Sequence, residues 1–311
     1  MNILLPGQYP RSEALVAASR DLDRERILPA DLEAVRQHDI ESLKELQKGF
    51  SYITTGFFEW QDLMRPFSTL LQAEVGTLKR FYETNTFWKI LEIHSQQIPA
   101  EDVWDIWIQR NFFGSGGQYK DNPLVFTLPF LFLFKEYSNG ISLEHIADIL
   151  VKTALKLSKF PHKLICFYEP TFGWRSITPE EKEMGLELIQ KIKALTSTPI
   201  YIYSSFFPLE KDLKYIYSLP ADGYGIDFYA NSLQETLPSF PKGKTLLAGI
   251  INTQSTLIDP ENGLEDFLLQ AVNYVEDKRI YITPNGPAEL LPRAIMDQKV
   301  KHVKKVCRCP D

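Results

Sequence analysis

Residues 164–204 read LICFYEPTFGWRSITPEEKEMGLELIQKIKALTSTPIYIYS, and the order of elements within them decides the fold. Residues 164–168 (LICFY) and 200–204 (IYIYS) are short, apolar and rich in aromatic and β-branched side chains. Strands buried on both faces read this way, as in a parallel sheet, whereas a half-exposed strand alternates. Between them Thr178-Pro179-Glu180-Glu181 offers an N-cap, a proline at the first helical position and a capping-box glutamate. Leu186, Leu188, Ile189 and Ile192 then supply the apolar face of a helix. The unit is strand, helix, strand.

The same pattern recurs along the chain. Residues 2–5 (NILL), 52–57 (YITTGF), 124–132 (LVFTLPFLF), 224–228 (YGIDF), 245–251 (TLLAGII) and 280–283 (IYIT) complete a set of eight predicted strands. Asp259-Pro260-Glu261 predicts a further helix start, and Asp31 precedes the first helix. Eight strands with intervening helices in 311 residues fit one (β/α)8 barrel spanning residues 1–311. A doubly wound open sheet is the alternative. Residues 61–123 are too long for one crossover and are predicted to add helices, with VWDIWIQRNFF (103–113) among them, that cap the C-terminal mouth.

Composition narrows the class. Apolar residues at 44% and charged residues at 24% supply ample core, and a net charge of −6 argues against a nucleic-acid surface. The longest apolar run, residues 124–134, contains a proline and is too short to span a bilayer. MNILLPGQYPR lacks a basic leader followed by an apolar segment, so no signal peptide is expected. Three cysteines give no disulfide framework, and a cytoplasmic protein with no membrane partner is the expectation.

Catalytic groups in such barrels stand at the C-terminal ends of strands. Those ends carry Gln8, Tyr9 and Arg11, residues 56–62, Glu169, Tyr203 to Ser205, Asp227, Asn252, and Asn285 with Gly286. Glu169 and Asp227 are the catalytic candidates. Glu169 suits a general acid or base, or a carboxylate hydrogen-bonded across the mouth. Asp227 suits orientation of a ligand or an arginine. Arg11 and Arg65 fit a bidentate contact to an anion, or internal ion pairs. Trp60, Phe57, Tyr168 and Tyr203 offer flat faces for stacking, and equally ordinary core. A glycosidase would need Asn-Glu after strand four and Glu after strand seven, where this chain has Tyr168-Glu169 and Asn252. Four of the five histidines fall in helical or loop patterns and His162 precedes a strand, at the opposite face; Cys166 lies within a strand, and Cys307-x-Cys309 belongs to the tail. Gly114-Ser115-Gly116-Gly117 reads as a loop or a lid.

With these residues in place, a resemblance can be stated. Gly7-Gln8-Tyr9-Pro10-Arg11 resembles the Gly-Ser-Tyr-Pro opening of cobalamin-independent methionine synthases, especially their short, single-barrel form. Further markers are Gly56, Trp60, Asp62, Arg65, Pro66 and Phe67, then RFYETNTFWK (80–89), Thr127-Leu128-Pro129, Glu169-Pro170, residues 246–252 and TPNGPAELLPR (283–293). Their order and spacing carry the resemblance. It implies a barrel that transfers a methyl group to homocysteine, using a zinc ion to make the thiolate. In that family zinc is held by His-x-Cys after strand five, Glu after strand six and Cys after strand eight. This chain has Tyr203-Ser204-Ser205, Asp227 and Asn285 at those places, so no metal is expected. The amino-acid clamp is changed too, with Phe57 and Tyr168 standing where the family has polar or acidic groups.

The resemblance and these departures imply a diverged methyl or one-carbon-group transferase working without zinc and thiolate. The alternative is a catalytically inactive barrel serving as a ligand-binding or protein-interaction subunit. Gln8, Arg11, Phe57, Trp60, Asp62, Tyr168, Tyr203, Ser205, Asn252 and Asn285 are the expected substrate-binding residues. The expected partner is a small molecule, with a folate or corrinoid methyl donor, or its carrier protein, as candidates. Two losses at one ligand atom leave an ammonium without a partner, at a cost of several kcal/mol. Homocysteine and methionine are therefore expected to bind in roughly the millimolar range or worse. Calorimetry on the wild type and Trp60→Ala checks this: micromolar binding lost in the variant would mean that the family's substrate has been kept.

Overall fold

The computed structural model of the chain describes residues 2–113, 119 and 121–307. In chain order these form β1 (Asn2–Ile3), α1 (Glu13–Asp23), α2 (Pro29–Leu46), α3 (Arg65–Leu70), β2 (Glu74–Arg80), β3 (Phe87–Glu92) and α4 (Glu101–Phe112). Next come β4 (Leu124–Pro129), α5 (Leu131–Glu136), β5 (Ser138–Asn139), α6 (Leu143–Ser158), β6 (Lys163–Tyr168), α7 (Pro179–Leu195) and β7 (Ile200–Tyr203). The remainder are α8 (Leu213–Ser218), β8 (Gly223–Asp227), α9 (Leu233–Thr236), β9 (Thr245–Ile251), α10 (Glu261–Ala271), β10 (Ile280–Pro284) and α11 (Arg293–Val306).

A seven-stranded parallel sheet, ordered β1-β10-β9-β8-β7-β6-β4, forms the centre. The continuously apolar runs are its strands, and every residue of β4, β6, β7, β8, β9 and β10 is buried. The sheet is curled, since its two edges meet. Gly7 N–H after β1 donates to Thr127 Oγ1 of β4 at 2.6 Å. Ile53 forms a single parallel bridge to Leu124, with Val125 N–H donating to its carbonyl at 3.0 Å. Between Ile53 and β1 there is no ladder among the described residues. Loop contacts span the gap instead: Tyr9 N–H to Gly56 O at 3.1 Å and Thr54 Oγ1 to Gly7 O at 3.3 Å.

The predicted strand over 52–57 is thus reduced to one bridge. Gly56 and Phe57 have φ of 82° and 51°, which takes the chain out of the β region immediately after Thr54. A Cβ at Gly56 would stand 2.8 Å from Leu43 Cδ2, so both the φ and the packing call for glycine there. Likewise the run 124–132 is not one strand. It stops at Pro129, and α5 begins at Leu131.

α7 starts as its sequence predicts, with Thr178 Oγ1 accepting from Glu181 N–H and Glu181 returning the bond. α1 escaped the sequence reading; its cap is Ser12, whose Oγ accepts from Leu15 N–H at 3.1 Å. Asp259 does not cap α10 either, whose N-cap is Pro260 with no side-chain bond. Asp259 is buried instead, taking Lys299 Nζ at 3.0 Å and Tyr229 Oη at 2.8 Å.

Residues 61–123 hold helices α3 and α4, but also the β2–β3 hairpin, which the sequence reading took as helical. The loop at the hairpin's turn reaches the strand ends: Phe81 stacks on Trp88 with centroids 4.0 Å apart, and Tyr82 Oη lies 2.7 Å from Thr171 Oγ1. α4 lies outside, against α6, through Lys156 and Asp105 at 2.6 Å. The Gly114–Gly117 run and Cys309 lie outside the described residues. Among those described, no helix is long and apolar enough to cross a membrane.

Lys299 is fully buried and its partner Asp259 nearly so. Removing one member of such a pair leaves a buried, unpaired charge. Lys299→Met is expected to lower unfolding stability by about 3 kcal/mol or more, as measured by urea denaturation followed by circular dichroism. A loss within experimental error would mean that Tyr229 and the Asn252 N–H satisfy Asp259 without the lysine.

Candidate functional site

At the C-terminal ends of the strands the candidate residues divide into two groups. One group stitches loops together. Asp227 Oδ2 accepts from Phe206 N–H at 3.0 Å, while Oδ1 accepts from Tyr229 N–H at 2.8 Å and Asn285 Nδ2 at 3.2 Å. Asn285 Oδ1 in turn accepts from Thr253 N–H at 2.8 Å and Thr253 Oγ1 at 3.0 Å. Four consecutive strand-end loops are joined in this way. Glu169, fully buried, turns its Oε2 to Phe132 and Leu133 N–H (3.0 and 2.8 Å) and its Oε1 to Thr171 N–H (3.0 Å). Burial raises its pKa to about 7, while these hydrogen bonds act in the opposite sense. Burial likewise raises Asp227, and its backbone and Asn285 donors oppose the rise.

Asn252 accepts from Gln254 N–H at 2.8 Å, forming a local turn. Ser205 Oγ lies 2.7 Å from Tyr168 Oη, and Tyr203 Oη donates to Pro284 O across the sheet. The rings of Tyr168 and Tyr203 lie 5.4 Å apart at 31°, at the ends of β6 and β7. Phe57 turns away, into the core, edge-on to Phe112 at 5.7 Å.

The second group lines two adjoining clefts that share Gln8 and Glu289. The inner one, about 10 Å3, lies between Gly7, Gln8, Trp88, Tyr168, Tyr203 and Glu289. That is room for about one water molecule. The outer one, about 220 Å3, is bounded by Gln8, Tyr9, Arg11, Trp60, Thr86 and Glu289. Of the expected binding residues, then, Gln8, Arg11, Trp60, Tyr168 and Tyr203 face these clefts. Phe57, Ser205, Asn252, Asn285, Glu169 and Asp227 line neither. Asp62 is buried beside them, its Oδ1 accepting from Arg65 N–H at 2.8 Å and its Oδ2 3.2 Å from Arg65 Nε. Burial raises the pKa of Asp62 and Arg65 opposes the rise.

Four unpartnered polar atoms border these clefts: Gln8 Oε1, Trp60 Nε1, Trp88 Nε1 and Glu289 Oε2 are buried and make no hydrogen bond among the described residues. Folded proteins leave few such atoms, and each calls for a water or a ligand. Gln8 Nε2 is already spent on Trp60 O at 3.0 Å. Burial raises the Glu289 carboxyl to about 8, with Asp62 adding to the rise. Arg11 is half-buried; burial and Arg20 lower its pKa, and the Asp39 carboxylate opposes the fall. Sequence reading missed Glu289 and Trp88. TPNGPAELLPR and RFYETNTFWK hold them, but nothing in either motif marks which side chain turns inward.

A larger hollow of about 530 Å3 lies between the loops after β6 and β7, beside Trp174 and Lys211. Its Arg175 and Lys182 are engaged by Glu181 and Asp212. No three His, Cys, Asp or Glu side chains among the described residues are grouped so that they could hold a metal ion.

No protein-family model matches this chain, and no curated protein matches it by sequence. Solved structures do match in fold. A B12-independent methionine synthase from a Shewanella species, in complex with selenomethionine, is 13% identical, with a TM-score of 0.72 and 92% of each chain covered. A Listeria monocytogenes protein assigned as a vitamin-B12-independent methionine synthase is 12% identical, with a TM-score of 0.70 over 99% of this chain and 97% of that one. A Methanosarcina mazei methyltransferase is 11% identical, with a TM-score of 0.57 over 88% and 85%. At these identities the likeness is one of fold.

Asp227→Ala removes the acceptor on which three loops converge. The expected effect is a stability loss of about 2–4 kcal/mol, measured by denaturant unfolding, with faster amide exchange at Phe206 and Tyr229. Unchanged exchange at both would show that the loops are held in another way.

Proposed function

We propose that this chain is a methionine-synthase-like (β/α)8 barrel, closed at Ile53, that transfers a methyl or other one-carbon group without a zinc-thiolate centre. Residues 1–311 act as one domain, with the hairpin loop of the 61–123 segment closing over the mouth and α4 packed against α6. The supporting observation is the set of four unpartnered polar atoms bordering the paired clefts at the strand ends, where barrels of this kind place their chemistry. On this reading the ligand is a small molecule entering beside Arg11 and Trp60, and its head reaches Gln8, Trp88 and Glu289. A folate or corrinoid, free or on a carrier protein, is the proposed methyl donor.

The zinc implied by the resemblance does not fit the residues present. Tyr203 and Ser205 have their hydroxyls in internal hydrogen bonds, and Asp227 and Asn285 are tied to each other and to backbone. None of the four is a thiolate or an imidazole. No step is therefore assigned to a metal, and the chemistry is assigned to Glu289, the acid with a free oxygen in the cleft. Glu169 and Asp227, the carboxylates first considered, keep at most an indirect role through the loops they hold. A cytoplasmic location remains the proposal, resting on the sparse cysteines.

The engagement of both Glu169 and Asp227 by backbone donors favours a second reading, in which the barrel binds a ligand or a protein without turning it over. Thermal-shift screening with folates, cobalamins, amino acids and thiols separates the two. The expected outcome is a rise of a few degrees with a methyl-carrying folate or corrinoid, lost in Trp88→Ala, together with methyl transfer detected by mass spectrometry. A shift without transfer to any thiol or amine would favour the second reading. No shift at all, together with capture of a stable protein partner, would overturn the small-molecule site.

A further inference from the structure

The inner cleft is too small for the ligand that the proposed site requires. Its space of about 10 Å3 admits one water molecule, yet Gln8, Trp88 and Glu289 around it each carry a buried polar atom with no partner among the described residues. Part of the wall therefore has to move. The turns after β6, β8 and β10 are tied down by Glu169, Asp227 and Asn285. The β2–β3 hairpin is fastened differently. It belongs to a separate three-stranded sheet and pairs with β5 at Leu91 and Glu92, the end remote from its turn. Yet it supplies Trp88 to the inner cleft and Thr86 to the outer one.

Residues 81–86, the turn of that hairpin, are a self-contained unit. Phe81 N–H donates to Thr86 O at 2.8 Å, Thr84 N–H to Phe81 O at 3.1 Å, and Arg80 Nε to Thr84 O at 2.6 Å. Tyr137 Oη, donating to Arg80 O at 2.9 Å, marks where the held part of β2 ends. Beyond it the turn meets the strand ends through rings and through Tyr82. Phe81 is fully buried against Trp88, with Tyr168 and Phe206 at 6.4 and 6.2 Å between centroids. Tyr82 is edge-on to Trp174 at 5.7 Å, and its Oη lies 2.7 Å from Thr171 Oγ1. Thr171 gives both its N–H (3.0 Å) and its hydroxyl to Glu169, so Tyr82 is the donor in that contact. Tyr82 also has a φ of 48°, a conformation that a bulky residue keeps only where its surroundings enforce it. Swinging the turn outward costs the Tyr82 contact and ring packing, but no backbone ladder.

Resting on the proposed small-molecule site, we propose that residues 81–86 are a gate over the inner cleft, held shut by the hydrogen-bond chain from Tyr82 through Thr171 to Glu169. It opens when the Tyr82 hydroxyl lets go and Phe81 withdraws from Trp88. Glu169 is then a positioning residue for the latch. A lid of this kind admits the head of a ligand and shuts water out once it has entered.

The test follows the Trp88 indole N–H by hydrogen-exchange NMR in the full-length chain. That proton has no acceptor among the described residues, so its exchange reports its cover. Its protection is expected to be at least tenfold below that of the β6 backbone amides and insensitive to low urea, as local opening gives. Tyr82→Phe keeps the ring and should speed the exchange about tenfold, the worth of one hydrogen bond. Thr171→Val should do the same, and the double variant should be no faster than either alone. Exchange that rises with urea in step with β6 would overturn the gate, and unchanged exchange in Tyr82→Phe would overturn the latch. Stopped-flow association of methyltetrahydrofolate and methylcobalamin, expected to quicken by a similar factor in Tyr82→Phe, separates the gate from the site. Binding of either probe with exchange tied to global unfolding would sink the gate alone. Local exchange with neither probe bound would sink the site that the gate serves.

Discussion

The arrangement at the C-terminal ends of the curled sheet depends on one carboxylate whose oxygens are taken up by backbone and amide donors. Asp227 sits at the end of β8 and accepts backbone N–H groups from the loops after β7 and β8, and the side-chain amide of Asn285 after β10. Asn285 passes the linkage to Thr253 after β9. Loops at strand ends would otherwise carry backbone donors with no partner, which is costly wherever water is excluded. By satisfying several at once, Asp227 fixes the path of the chain into the turn that carries Glu289. Glu169 does the equivalent on the other side, where its oxygens meet the first N–H groups of α5 and of the loop after β6. The polar ring at the mouth is therefore two things: a frame of engaged acids, and a smaller set of free atoms that the frame holds in place.

This division explains what the sequence could and could not reveal. The strands were legible because a parallel sheet buries both faces, so that runs such as LICFY and TLLAGII have no other economical place. The start of α7 was legible because capping is local: Thr178 and Glu181 satisfy each other within one turn. Strand two was overcalled, since YITTGF has strand composition but Gly56 and Phe57 adopt positive φ. Glycine signals that freedom; phenylalanine does not. The hairpin β2–β3 was missed for a related reason, because its burial is irregular and β2 is largely exposed, so period-two alternation never emerges.

The site was legible only as a set of strand ends. Composition cannot tell an acid that grips backbone from an acid left with an unpartnered oxygen, as Glu169, Asp227 and Glu289 all show. The difference lies in which N–H groups happen to point at each carboxyl, and these belong to residues 21 to 37 positions away for Phe206, Phe132 and Leu133. Trp88 is a similar case. Its ring is buried by Phe81 and Tyr137, contacts made within the hairpin and across to the end of α5, while its Nε1 remains unsatisfied. An aromatic in a sequence carries no mark of which of its edges will be left free.

The tyrosines at the strand ends bear on the chemistry. Tyr168 and Tyr203 stack at the ends of β6 and β7 and spend their hydroxyls on Ser205 and on the Pro284 carbonyl. Burial pushes both phenols well above their usual pKa, so both keep their protons at neutral pH. On the proposed reading, chemistry has moved away from the ends of β7 and β8 toward the side of the mouth built by Gln8, the hairpin and the turn after β10. A metal centre would lower an acceptor's pKa by direct coordination. On that side the described residues leave unpartnered one acid oxygen of Glu289, the amide oxygen of Gln8 and the indole N–H groups of Trp60 and Trp88. On that reading the site would hold its ligand by hydrogen bonds to these atoms rather than by coordination to a metal.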